Sequence, residues 1–138
     1  MASFVLSNAF FSVNSVDLSD HVKSVTVKGS KDGVENTAMS STNAKTELVG
    51  LESFTIDVEF NQDFAASKVD ATLWAIYSGN ASVAVDVKAT NAARSTTNPS
   101  FTGSVLLLEY TPVDGSVGAL AAVKVTFTGT GALARQTS

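Results

Sequence analysis

The chain is 138 residues long, with no cysteine, one histidine, a formal net charge of −4 and a pI of about 4.7. One domain with its own hydrophobic core is the expectation at this length; disulfides and thiolate metal sites are excluded, and the acidic balance argues against a nucleic-acid clamp, which needs a basic face to displace counterions. Charged residues make up only 16%, against roughly a quarter in ordinary domains, and small residues take their place, a composition suited to close contacts between subunits.

The opening MASFVLSNAFF has neither a basic segment nor a long apolar run, so it does not read as a secretion signal. No membrane segment is expected, because no stretch approaches the roughly 20 apolar residues a membrane helix needs. Phe4–Leu6 and Ala9–Val13 are expected as a first strand or a broken pair, with a turn at Asn14-Ser15. Val16 to His21 reads as polar and turn-like. Val22–Lys28 alternates as a strand, with Val25 and Val27 on one face. Residues 29–47, GSKDGVENTAMSSTNAKTE, have no useful period and few apolar side chains, so they read as a long loop. A loop beyond about 12–15 residues in a compact domain is functional or disordered. This one is expected to be an interaction arm, mobile in the monomer and ordered by a partner; the alternative is a plain surface loop.

Leu48–Glu52 is expected to turn at Gly50. The next stretch, Ser53 to Gly79, carries the clearest elements. Phe54, Ile56, Val58 and Phe60 alternate with Thr55, Asp57 and Glu59, which gives a strand one apolar and one wet face. Val69, Leu73, Ile76 and Tyr77 then fall at helical spacing, predicting a helix over about 68–78. Ser67 and Asp70 read as a capping box, Gly79 as the left-handed terminator, and Trp74 as packing. Ala81–Lys88 alternates through Val83, Val85 and Val87. Residues 90–100 read as a loop, Phe101–Tyr110 as a central strand with Val105 to Leu108 apolar, and Val123, Val125 and Phe127 as the last strand. Residues 129–138 are a small-residue tail that nothing obliges to fold. The sum is a single mainly β domain over 1–138, a β-sandwich or partly closed barrel with one flanking α-helix.

Chemistry-bearing patterns are weak. His21 is the lone histidine, and no Gly-x-Ser-x-Gly elbow exists to pair with it. Asp17, Asp20 and His21 suggest local backbone hydrogen bonds rather than a cation site. Gly29-Ser30-Lys31 lacks the frame of a phosphate loop. Asp57 and Glu59 stand side by side on one strand face, so they do not flank a substrate. No enzyme, cofactor or metal is expected.

Three stretches, Leu6–Val27, Val58–Trp74 and Asn98–Arg135, together with Val34–Ser41, resemble tail tube proteins of long-tailed, non-contractile bacteriophages, most of all the short forms in phages of actinobacteria. The resemblance covers nearly the whole chain and rests on combined order and spacing. It implies a structural virion protein whose copies form rings, six to a ring, stacked into a tube around a tape-measure protein. It implies partners in the tail terminator and the baseplate or tail-tip proteins, with genomic DNA passing through unbound. It also implies ring contacts through the long loop and the termini, for which Lys31, Asp32, Glu35, Met39, Lys45, Glu47 and Arg135 are candidates. Asp57 and Glu59, or Asp86 and Lys88, are candidates for the lumen, where like charge keeps DNA off the wall. The alternatives are a terminator or baseplate ring of related fold, and a β-sandwich carbohydrate-binding or adhesion module.

Overall fold

The computed structural model describes residues 5–39 and 44–137. Eight strands and one α-helix are formed among them: β1 (Phe10–Val13), β2 (Val16–Asp17), β3 (Val22–Glu35), β4 (Glu47–Asn61), α1 (Val69–Gly79), β5 (Val83–Lys88), β6 (Ser100–Leu107), β7 (Ala122–Gly129) and β8 (Ala134–Gln136). All pairings are antiparallel, in the order β2-β1-β5-β6-β7-β4-β3, with β8 added to β6. The mainly β expectation with one flanking helix holds, and β6 is central, as its apolar run implied. Phe4 of the expected first strand lies outside the described residues.

The sheet closes over its own apolar face. β1 and β4 stand four places apart, which in a flat sheet would separate them by roughly 19 Å. Yet the Phe11 ring on β1 lies 5.6 Å from Phe60 on β4 and 6.0 Å from Phe127 on β7. Phe54, Ile56, Val58 and Phe60 all face this core with Val85, Val105, Val123 and Val125, so the alternation read in β4 is the alternation of burial. Phe54 fits between two strands because Gly103 and Gly129 present no Cβ. A Cβ at Gly103 would sit 2.6 Å from the Phe54 ring, and one at Gly129 would overlap it. The helix buries Val69, Thr72, Leu73 and Ile76 and leans on β6.

Several local expectations are corrected. Residues 29–47 are not one loop: β3 runs on to Glu35 and pairs with β4 down to Glu35↔Glu47. Gly50 is no turn, for it lies inside β4 where the register slips between Lys31↔Glu52 and Gly33↔Val49, a bulge. The tail folds too, as β8 pairs Arg135 with Phe101. The capping box does not form. The helix cap is Lys68 without a side-chain bond, and the Asp70 carboxylate instead accepts from the Tyr110 hydroxyl at 2.7 Å. Asn80, not Gly79, takes the left-handed conformation, at φ 55°. Trp74 is 53% exposed rather than packed, its ring 5.7 Å from that of Tyr77.

Candidate assembly interface

The strongest feature of the surface is a two-stranded arm. β7 pairs with β4 only from Thr55 to Asn61, so beyond Phe54 the β3–β4 ribbon has no third strand among the described residues. Both faces are open there: Val34, Leu48, Val49 and Leu51 are 52–81% exposed. Val34 and Leu48 stand directly opposite across the ladder and share one face. Large apolar side chains on a solvent-exposed ribbon are unfavourable, and a lone hairpin is marginal in water. The arm is therefore built to be covered.

The ring-contact candidates fall on this arm, with one exception. Lys31, Asp32 and Glu35 are on β3, Glu47 opens β4, and Lys45 lies 3.6 Å from Glu35. The Thr37 hydroxyl and the Asn36 amide both bond the Thr46 carbonyl, which extends the hairpin's hydrogen bonding past the last strand pair. Met39 is fully exposed. Arg135 stands apart on β8. The Gly29-Ser30-Lys31 run is mid-strand, which removes any phosphate-loop reading.

The four lumen candidates share the outer face of the sheet. Cross-strand partners put Asp57 beside Thr126 and Thr26, and Asp86 beside Thr102 and Ser12. Their chemistry differs. Asp57 is exposed and accepts from the Thr126 hydroxyl at 2.7 Å; Glu59 lies opposite Lys124 and 3.4 Å from Lys23. Asp86 and Lys88 are engaged within the molecule. Asp86 accepts from buried Ser100 and lies 3.5 Å from Arg94, which also donates to Gln136 at 2.7 Å and so ties down β8. Lys88 donates to the Ala92 carbonyl and sits 4.5 Å over the Phe10 ring. Between β4 and β5 the outer face is mostly hydroxyls, including Thr102, Ser104, Thr126 and Thr128.

Asp17, Asp20 and His21 do not converge on one point. Asp17 accepts from Ser19, whereas His21 bridges Asp20 and Asp63 at 2.8 Å each. Only an imidazolium donates from both ring nitrogens, and the Asp20 hydrogen bond foremost holds the His21 pKa above its ordinary value. Asp63 escaped the sequence reading because 42 residues separate it from His21. Among the described residues, no group of three or more His, Asp or Glu side chains is placed to hold a metal ion, and no helix is long and apolar enough to cross a membrane.

The fold, an antiparallel sheet folded over a phenylalanine core with one helix and a long hairpin, is similar to that of solved tail structures. The chain superposes on the SPP1 tail tube with TM-score 0.71 at 8% identity, over 95% of this chain and 76% of that one. It superposes on a chain of the native gene transfer agent virion with TM-score 0.70 at 15% identity, over 84% and 85%. A chain of the anti-feeding prophage baseplate matches with TM-score 0.67 at 8% identity, over 98% and 97%. No family model matches the sequence, and no curated protein is similar to it in sequence.

Proposed function

We propose that the chain is a non-enzymatic structural subunit of a phage-type tail, stacked as rings of six copies into a tube that surrounds a tape-measure protein and later conducts DNA. The observation that carries this reading is the arm: a ribbon with apolar side chains open on a domain whose fold is that of assembled tail tubes. Sixfold rings are favoured by two neighbours, a gene transfer agent tail with C6 symmetry and a baseplate that is 6-fold symmetrised. Each copy would use its arm on the next, a heterologous contact that repeats without closing, so length control falls to the tape measure and a terminator. The hydroxyl-rich outer face with Asp57 and Glu59 suits a channel that DNA passes without sticking; Glu59 is offset by Lys23 as Asp86 is by Arg94, so hydroxyls rather than net charge set its character.

Near-complete mutual coverage with a baseplate chain favours a second reading, a ring at the tail end. Negative-stain electron microscopy across a concentration series separates the two. Hollow tubes are expected; isolated rings support the tail-end component, and monomers at every concentration overturn both.

A further inference from the structure

The two ends of β4 mark opposite poles of the molecule. Fourteen residue steps separate Glu47 at the arm tip from Asn61, or roughly 45 Å of strand. At the Asn61 pole, residues 108–121 form a loop with a second set of open apolar side chains. Leu108, Val113, Val117 and Leu120 are 66% to fully exposed. This loop is held at two points by one residue: the Gln62 backbone amide donates to the Ala121 carbonyl, and the Gln62 side chain donates to the Pro112 carbonyl at 2.7 Å. Tyr110 anchors it to the helix through Asp70. Ala119 closes a turn onto Ser116. A loop held in this way loses little conformational freedom when something docks on it.

Within one copy the arm cannot reach this loop, because β4 itself holds them apart. A second copy stacked head to tail brings them together. We propose that the loop at residues 108–121 is the seat for the arm of the next copy, with Val34, Leu48 and Leu51 against Val113, Val117 and Leu120. The contact is an apolar one: the loop's charged side chains, Glu109 and Asp114, are acidic, and the arm carries Asp32, Glu35 and Glu47 beside Lys31 and Lys45. This contact rests on the tube reading and specifies which surface receives the arm.

Because the chain has no cysteine, single-cysteine variants report contacts without background. Leu51→Cys and Val117→Cys chains are mixed, oxidised, imaged and run on a non-reducing gel. The expected result is tubes with a disulfide dimer that forms in the mixture and not from either variant alone. Tubes without that dimer overturn the seat while leaving the tube reading intact, and a disulfide dimer from the Leu51→Cys chain alone overturns it by assigning the arm to another arm. Absence of any polymer, from the parent chain as well, overturns both. Val117→Asp supplies an independent check: the site is fully exposed, so the monomer should melt unchanged while long tubes are lost, and normal tubes from it overturn the seat.

Discussion

Gly103→Ala tests the account of how β4 is held to the body. The added methyl would lie 2.6 Å from Cζ of Phe54, nearly 1 Å inside the ordinary contact that begins near 3.4 Å. Phe54 is 2% exposed, and Gly129 approaches the same ring at Cδ1 and Cε1, so the ring is confined by both strands. Overpacking of this kind costs about 1–3 kcal/mol. At this length each kcal/mol lowers the melting midpoint by about 3–5 °C. Thermal unfolding by circular dichroism should therefore show Gly103→Ala melting well below the parent. Phe54→Leu shortens the ring and should be destabilising alone, yet the double variant should be better than the sum of the two by about 0.5–3 kcal/mol. A Gly103→Ala chain within about 0.5 kcal/mol of the parent, which is the range of an ordinary surface substitution, refutes the cage, and so does strict additivity.

Other expectations follow from separate features. His21 stays charged to higher pH when folded than when unfolded, so its contribution is complete below about pH 6.5 and fades as pH rises through the folded value. The melting midpoint should fall over that interval, and His21→Gln should flatten the fall; an unchanged slope would show that the bridge carries no linkage. Asp20 and Asp63 titrate lower when folded, so their contributions persist above about pH 3.8 and disappear as pH drops through the folded values. Tyr110→Phe removes the hydroxyl that bonds Asp70 and should cost about 1–2 kcal/mol in urea titration; burial foremost pushes this phenol up to about 12, so the loss should be constant across neutral pH. Replacing residues 32–51 with an Asn-Gly turn joins Lys31 to its ladder partner Glu52, and should leave a body that folds but does not polymerise by light scattering. Asp57→Lys with Glu59→Lys should leave tube assembly intact and slow DNA passage; loss of tubes instead would make that face an interface.

How much was legible depended on whether burial imposed a period. In β4 from Phe54 to Phe60 one face meets the core, so the alternation was plain. The arm has the same backbone but no buried face, and its strands read as a loop because solvent on both sides leaves side-chain order unconstrained. β8 was hidden for a related reason: its hold comes from Arg94 and Gln136, 42 residues apart. The Ser67–Asp70 box was a sound local signal that lost to Tyr110, which reaches the carboxylate from 40 residues away. The Phe54 cage left a faint trace, a glycine inside β6 and another at the end of β7. The candidate ring contacts on the loop turned out to lie on one hairpin, whereas the His21–Asp63 bridge needed the fold to be seen.

The seventh strand has a consequence for how the molecule comes into being. β3 and β4 pair as a hairpin, and β1, β2, β5 and β6 pair among themselves, but only β7 joins the two groups into one sheet. That seam is made of non-local partners such as Asp57↔Thr126, and sheets closed by distant pairs fold in milliseconds to seconds rather than microseconds. Until it closes, the arm is attached to nothing that fixes its direction. Under the proposed function, completion of folding is then also the moment at which a chain acquires a usable arm, which would keep incompletely folded chains out of a growing tube.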